Sequence, residues 1–261
     1  MKKLIALAVV ASAFASFAED NVFGCLAIES SAEETIICVP WLQPGATSDD
    51  SSIKVTDVIK TSNLQTGDIL YYYVDGAYKA WRLKEDKTWE PANIVDGTAA
   101  AAGADNDALT RGNAVLLKRP TKEGRASVIY VYGQVGTAEM KECALGAGTS
   151  DAACYTLIAP PTVGETDLNS GTTWANIDSK SDYIVLPDTD MTILVWNGEK
   201  WGKEGKMEVK DGKITKPFTA AVAKIPAGQG AWFVSGRSRT VSGTPSVTWS
   251  NLPSVGPTVA Q

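Results

Sequence analysis

Four short stretches of this chain recur in the same order further along, and this internal repeat constrains the fold more than any other feature. The matching stretches are 36–40 with 156–160, 68–76 with 190–198, 109–117 with 225–233, and 130–132 with 247–249. Their offsets all lie between 116 and 122 residues. Four matches in one order predict a duplicated module of about 100 residues. We therefore expect a first module within 19–137 and a second within 138–261.

The local chemistry of both copies is that of strands joined by tight turns. Asp-Gly at 75–76 and Asn-Gly at 197–198 stand between apolar runs at matching places, and Asp-Gly at 211–212 repeats the signal. These dipeptides accept the positive φ angles of a two-residue hairpin loop. The run 69–74 is apolar on both faces, so that strand should lie centrally in its sheet. The sequence predicts an all-β fold of two tandem sandwich or barrel-like modules.

Helical signals are weak. Helical periodicity is found only over 55–60 and in the alanine-rich stretch after Gly97. The glycines and asparagine of the second stretch suit a loop equally well. Neither stretch changes the all-β prediction.

The first eighteen residues have the pattern of a cleaved export signal. Lysines at positions 2 and 3 precede an apolar run over 4–10, and small residues Ser16 and Ala18 stand where a signal peptidase reads. The run is too short to cross roughly 30 Å of hydrocarbon, and no later stretch approaches about 20 apolar residues. We expect 1–18 to be removed and the protein to be periplasmic, cell-surface or secreted rather than membrane-spanning.

The charge balance argues against nucleic acid as a partner. Without residues 1–18 the chain has 22 basic and 30 acidic residues, a net charge of −8. Such a surface repels nucleic acid and anionic lipid while favouring solubility. No basic block is present to hold a phosphate backbone. Other envelope proteins and surface glycans remain as possible partners.

All four cysteines follow the predicted signal, so an oxidising compartment would allow them to pair. Short separations favour Cys25 with Cys38 and Cys143 with Cys154 among the three connectivities. Each bond would contribute about 3 kcal/mol in the chain-entropy model. Zinc is the alternative, but the spacings match no zinc pattern and the chain has no histidine. We therefore expect neither a metal nor a cofactor.

The second copy contains a distinctive motif. Residues 225–233 read Ile-Pro-Ala-Gly-Gln-Gly-Ala-Trp-Phe, after an apolar strand ending in proline and an aromatic hairpin. This order resembles uncharacterised secreted β-repeat proteins of bacteria, which implies the architecture of both modules and no particular activity. The first copy departs from it, with Arg-Gly-Asn-Ala at 111–114. From the residues alone, Gly228 and Gly230 permit a tight turn or bulge before a strand that includes Trp232.

The lack of histidine limits the catalysis open to the chain. It excludes a Ser-His-Asp triad and an imidazole base, and no nucleophile-elbow or phosphate-loop motif is present. A glycoside hydrolase remains an alternative, because it needs only two carboxyl groups about 5 to 9.5 Å apart. Asp68 and Asp190, however, match turn or capping positions before a strand. We predict that the protein is not an enzyme.

Acidic loops offer a second possible site. Asp105, Asn106 and Asp107 form one cluster, and Asp188 with Asp190 forms an Asp-x-Asp. Oxygen ligands of this kind suit calcium, but neither cluster has the full ligand series of a calcium loop. A solvated loop is the competing interpretation.

Aromatic residues offer a third possible site. They could stack on sugar rings, although most aromatics of β-proteins pack in cores and cross-strand pairs. Trp89 and Trp201 are the candidates for ligand binding, because polar and charged neighbours surround both. The sequence therefore predicts an exported, non-catalytic structural or interaction protein, with a carbohydrate-binding protein as the alternative. The full aromatic set comprises Tyr72, Tyr78, Trp81, Trp89, Trp174, Trp196 and Trp201.

Overall fold

A computed structural model gives the fold of most of the chain. Its described residues form twenty-four β-strands and two short 3-10 helices, η1 (Val55–Asp57) and η2 (Thr61–Asn63). The all-β prediction is confirmed. Within this part of the chain, no helix is long and apolar enough to cross a membrane. The described ranges are 23–30, 33–39, 52–74, 77–95, 99–109, 112–121, 123–134, 142–160, 164–186, 191–204, 208–210, 213–215, 218–219 and 223–249.

Eleven strands lie within the predicted first module. They are β1 (Phe23–Glu29), β2 (Glu34–Cys38), β3 (Ile53–Lys54), β4 (Ile69–Val74), β5 (Ala77–Leu83), β6 (Trp89–Pro91), β7 (Ile94–Val95), β8 (Ala99–Ala102), β9 (Ala108–Leu109), β10 (Ala114–Lys118) and β11 (Val128–Gln134). The main sheet has the order β2-β10-β4-β5-β8-β7, and β6 also pairs with β5. Separate pairs join β1 to β11 and β3 to β9. As predicted, β4 lies inside its sheet, between β10 and β5.

Thirteen strands lie within the predicted second module. They are β12 (Glu142–Ala144), β13 (Cys154–Ile158), β14 (Thr166–Asp167), β15 (Thr172–Ala175), β16 (Tyr183–Val185), β17 (Ile193–Trp196), β18 (Trp201–Glu204), β19 (Glu208–Lys210), β20 (Lys213–Thr215), β21 (Phe218–Thr219), β22 (Lys224–Ile225), β23 (Ala231–Ser235) and β24 (Ser246–Trp249). The main sheet has the order β13-β23-β16-β17-β18-β21. Smaller sheets are β12-β24-β15, β14-β22 and β19-β20.

The strand order of the first module recurs in the second. The series β2-β10-β4-β5 corresponds to β13-β23-β16-β17, and the pairs β1-β11 and β3-β9 correspond to β12-β24 and β14-β22. This recurrence supports the duplication, which itself stays a prediction. The recurrence also corrects one part of the sequence alignment. That alignment matched 68–76 with 190–198, and hence β4 with β17. In the sheets, β4 pairs with β10, and the strand that pairs with the corresponding β23 is β16.

Buried ion pairs occupy corresponding places in the two main sheets. Asp68, directly before β4, lies 3.4 Å from Arg119 Nε, and both side chains are buried. Asp182, directly before β16, lies 3.3 Å from Arg239 Nε and is equally buried. The correspondence of β4 with β16 therefore extends to side-chain chemistry. Removing one partner of such a pair would leave a buried charge uncompensated.

One hydrophobic core contains residues of both predicted modules. Leu157 and Ala159 of the second module belong to the same buried cluster as Ile37, Leu70 and other core residues of the first. At the edge of β2, the Cys38 N–H donates to the Gly228 carbonyl and the Gly230 N–H donates to the Ile36 carbonyl, each at 3.0 Å. Segment 228–230 therefore covers the outer edge of β2, an edge that would otherwise be open to unwanted strand pairing.

Glycine is required where the modules meet. Gly228 has a φ of +73°, and a Cβ there would lie 2.6 Å from Leu26 Cδ2. A Cβ on Gly230 would lie 2.7 Å from Ile36 Cγ2 of the first module. The tight turn that the glycine motif predicted is present, since Gln229 N–H donates to the Pro226 carbonyl at 3.1 Å. The glycines therefore allow the second module's turn to approach the first module closely.

The hairpin at 197–198 is present, but its loop is displaced by one residue. Trp196 pairs with Trp201, and the Asn197 N–H donates to the Lys200 carbonyl at 3.1 Å, which leaves Gly198 and Glu199 as the loop residues. Gly198 has a φ of +103°. Asn197 precedes the loop, and its Oδ1 accepts the N–H groups of Glu199 and Lys200 at 2.9 and 2.7 Å. The dipeptides at 75–76 and 211–212 lie outside the described residues, although the strands on either side of each are paired.

The two weak helical signals have different outcomes. Over 55–60 the chain forms only the single 3-10 turn η1. The alanine stretch is a strand, β8, which pairs in parallel with β5. Gly103, which follows β8, lies directly against the ring of Trp81, where a Cβ would fall 2.2 Å from Nε1.

The predicted disulfides are not formed, and the cysteine prediction was wrong. The structure contains neither the Cys25–Cys38 disulfide nor the Cys143–Cys154 disulfide. Cys25 lies on β1 and Cys38 on β2, and these strands belong to different sheets. Cys143 on β12 and Cys154 on β13 are separated in the same way. Closeness in sequence misled the prediction, since Cys25 is exposed while Cys38 is buried, and the chain changes sheets between the members of each pair.

Cys38 behaves as a core residue. Its side chain is fully buried in the cluster that joins the modules. This burial raises the pKa of the Cys38 thiol to about 12. A thiol in such surroundings packs as a small apolar group and is unreactive.

Gly228→Ala should destabilise the protein more than Gly198→Ala, although both glycines have a positive φ. A left-handed conformation costs either alanine roughly 1–2 kcal/mol. At Gly228 the new Cβ would also press on Leu26 and Ile28, whereas at Gly198 nothing lies within 4 Å. Overpacking of this kind costs about 1–3 kcal/mol more. Urea unfolding followed by tryptophan fluorescence measures both losses, and equal losses would contradict the close contact between modules.

Candidate functional site

A groove in the first module is the candidate functional site. It has a volume of about 860 Å³ and lies between the segment that follows β3 and the turn that joins β5 to β6. Its lining combines two tryptophans with charged and hydroxyl side chains, a mixture that suits a polar ligand with an apolar face. The lining residues are Lys54, Thr56, Asp57, Ile59, Lys60, Thr61, Ser62, Trp81, Lys87, Thr88, Trp89 and Asp105.

Buried apolar residues fix one wall of the groove. Val55, Val58 and Ile59 are at most 2 % exposed and anchor the segment that contains η1. Ile59 forms a bridge with Val131 of β11, and the Lys60 N–H donates to the Tyr130 carbonyl at 3.1 Å. With this backbone fixed, the exposed side chains between the anchors face solvent at the groove.

The turn between β5 and β6 forms the opposite wall. Lys87 has a left-handed backbone with φ +63°, and its N–H donates to the Lys84 carbonyl at 3.1 Å. Asp86 accepts hydrogen bonds from the Thr88 hydroxyl and from the Thr88 N–H. Together with a hydrogen bond from Lys84, they lower the pKa of the Asp86 carboxyl to about 2. The Lys87 ammonium reaches across and donates to the Leu64 carbonyl at 2.6 Å. This last bond ties the two walls together.

The two tryptophans of the groove differ in exposure. Trp81 is 3 % exposed, and its Nε1 donates to the Tyr72 hydroxyl at 3.1 Å. Trp89 is half-buried and packs against the first module's core. Its Nε1 is buried and meets no acceptor among the described residues. Trp89 therefore offers a partly accessible ring, while Trp81 forms part of the floor.

A buried polar network supports the floor. The Tyr72 hydroxyl donates to Asp107, and Lys79 Nζ donates to the same carboxylate at 2.7 Å. Burial and the carboxylate together raise the pKa of Tyr72. Burial alone would raise the pKa of Asp107, but hydrogen bonds from Lys79, Tyr72 and Ala104 outweigh it and lower the pKa. The network keeps Asp107 ionised and fully occupied.

The acidic loops receive no support as a calcium site. Asp107 is buried against Lys79, while Asp105 and Asn106 are exposed. Among the described residues, no group of three or more acidic or cysteine side chains is placed to hold a metal ion. Asp188 and Asp190 lie outside those residues.

Trp201 is not exposed, so its choice as a ligand-binding residue was wrong. Its side chain is fully buried, with the rings of Trp174 and Trp196 at 5.1 and 5.2 Å. Asn169 also binds its backbone, accepting from Trp201 N–H at 2.7 Å and donating to its carbonyl at 2.8 Å. The polar neighbours that suggested exposure belong to the hairpin turn. Trp201 is the first strand residue after that turn and points inward.

The other predicted aromatics mostly pack within the protein. Tyr72 is fully buried in the first module, whereas Trp174 and Trp196 lie half-buried around Trp201. Tyr78 lies at the junction of the modules, with its ring 6.2 Å from that of Trp232. Of the predicted pair, only Trp89 lies in the groove. The lysines and hydroxyls around it were not predicted, because they come from segments separated along the chain.

Comparison of the chain with protein families, with curated proteins and with solved structures found no match. The resemblance to secreted β-repeat proteins therefore stays a prediction.

Trp201→Ala should destabilise the protein by about 3–5 kcal/mol, the usual cost of removing a buried large aromatic. Trp89→Ala should cost clearly less, because part of that ring is already in water. Thermal and urea unfolding of both variants test this ordering. A larger loss for Trp89→Ala would mean that its ring is a core element and not an available binding surface.

Proposed function

We propose that the protein is an exported, non-catalytic interaction or structural protein of the cell envelope or extracellular space. The observation that supports this most is the use of its buried aspartates. Asp68, Asp107, Asp178 and Asp182 are each at most 7 % exposed, and each is bound by a cation or by backbone N–H groups. A pair of carboxyl groups is the catalytic arrangement that the sequence does not exclude. In this structure the buried aspartates stabilise the fold instead.

The contacts of Asp178 and Asp182 illustrate this structural use. Asp178 accepts the N–H groups of Thr240 and Lys180, the latter at 2.9 Å. Burial alone would raise the pKa of Asp178, but these bonds lower it to about 2. Asp182 accepts from the Ser235 hydroxyl at 3.0 Å as well as pairing with Arg239.

These contacts argue against a glycoside hydrolase. Its general acid must hold a proton near neutral pH, which requires a raised pKa. The pKa values of Asp107 and Asp178 are lowered instead. Asp68 is paired with Arg119, and Asp190 lies outside the described residues. The paired-carboxylate alternative is therefore the weaker one.

Protein recovered from native cells tests export and the lack of catalysis together. Intact-mass analysis should show a chain that begins near Glu19, and fractionation should find it outside the cytoplasm. The purified protein should release no soluble sugar from polysaccharides. A full-length chain in the cytoplasm would contradict export, and release of soluble sugar by the purified protein would contradict the non-catalytic assignment.

Carbohydrate binding at the groove is the second candidate function. The half-buried ring of Trp89 lies beside hydroxyl and charged side chains of the groove, such as Thr88 and Asp57. A sugar ring presents an apolar face and hydroxyl groups, which such a surface can contact together. Because Trp201 is buried, the second module does not repeat this surface. We therefore infer one binding site per chain, without avidity between modules.

Retention on insoluble polysaccharides tests this second candidate. Losing a stacking contact of about 1.5 kcal/mol should weaken binding roughly tenfold in Trp89→Ala. Trp89→Phe keeps an aromatic face and should retain most of the binding. Trp196→Ala is the matched control, since Trp196 is also half-buried but lies in the second module.

Each result of the retention experiment has a definite meaning. Binding that is lost in Trp89→Ala, with folding intact and the Trp196→Ala control still binding, supports the glycan site. Equal retention of all the variants, or no retention of the parent protein, contradicts it. The non-catalytic assignment does not depend on this outcome.

A further inference from the structure

The main sheet of the second module has apolar residues on both faces. Its inner face is the module's core, where Ile184, Leu194 and Phe233 are fully buried. On the opposite face, which we call the outer face, strand register places two rows of residues. They are Tyr155, Val234, Tyr183 and Val195 in one row, and Leu157, Trp232, Val185 and Ile193 in the other. An antiparallel sheet with one solvated face normally has polar side chains there.

Part of the outer face is already an interface. Leu157 is buried in the first module's core cluster, and Trp232 packs against that cluster. The Tyr78 hydroxyl from the first module donates to the Tyr155 carbonyl. The contacting part of the first module includes Tyr78 of β5, whose ring lies 6.2 Å from that of Trp232, and strands β4 and β10, which both contact β13. Apolar residues of another sheet therefore already cover this part of the outer face.

The remainder of the outer face is open to solvent. Ile193 is 55 % exposed and Tyr155 is 49 % exposed. Met191, which lies just before Ile193, is 57 % exposed. Val185, directly opposite Ile193, is half-buried. Ile193 lies in the same row as Leu157 and Trp232, so the exposed part continues the interface between modules without a break.

We propose that this exposed surface binds a second copy of the chain. The surface comprises Tyr155, Tyr183, Val185, Met191, Ile193 and Val195, and none of these side chains is charged. The cores of homodimer interfaces are similarly apolar and poor in charge. A two-fold dimer places the same surface on both copies, so each outer face would pack against its own equivalent. This extends between chains the apolar contact that Leu157 and Trp232 of the outer face already make with the first module.

Ile193 lies on an internal strand of the sheet. β17, which contains Ile193, is paired on one side with β16 and on the other with β18. Association at Ile193 therefore uses side chains of the face. A single charged side chain at Ile193 should disrupt the surface without removing a backbone hydrogen bond.

The oligomeric state of the purified mature chain tests this inference. Sedimentation velocity or light scattering over a range of concentrations should show a dimer that dissociates on dilution. Ile193→Lys should shift the protein to monomer while leaving its melting temperature unchanged, because the side chain is mostly in water. Tyr130→Lys is the matched control, since Tyr130 is 37 % exposed on β11 in the first module, and it should leave the dimer intact.

The outcomes separate this inference from the other proposals. A monomer at every concentration, or a dimer that persists in Ile193→Lys, would overturn it. Loss of the dimer in both variants would show that the charge added to the chain, and not the outer face, controls association, and would overturn it as well. The experiment uses purified protein without ligand, so its result does not depend on export or on glycan retention.

Discussion

Two backbone hydrogen bonds join the modules at the edge of β2, and much of the remaining architecture depends on them. They link Cys38 to Gly228 and Gly230 to Ile36, where a side chain on either glycine would collide with the neighbouring module. The contact closes the edge of the first main sheet and brings Leu157 into the first core. The first core is therefore completed by residues of the second module, which also has a core cluster of its own.

Local sequence signals predicted those parts of the fold that local chemistry determines. The apolar run 69–74 is the internal strand β4, and the hairpin at Asn197 is present because a short polar residue and a glycine suit its loop. The strand formed by alanines 99–102 could not be predicted, since its parallel pairing with β5 depends on distant residues. The match of β4 to β17 failed for a related reason: similar hairpins occur at different places in the two sheets.

The candidate site could be predicted only in part. Polar neighbours in the sequence indicated that both Trp89 and Trp201 are exposed. Such neighbours do not distinguish a residue inside a turn from the first strand residue after it. Trp201 is of the second kind and is buried. The groove itself depends on contacts between distant segments, such as the bond from Lys87 to the Leu64 carbonyl. Its charged lining therefore comes from the fold and from no single motif.

The burial of Cys38 has a consequence for the order of events when the chain folds. On the proposed export, the chain would meet oxidants while it is still unfolded, with all of its thiols accessible. Once β2 is covered by the second module's turn, the Cys38 thiol is enclosed and its ionisation is suppressed. On the proposed export, folding and oxidation would therefore compete in time. A molecule oxidised at Cys38 too early would not close the junction, whereas rapid closure would protect the native state from mispairing.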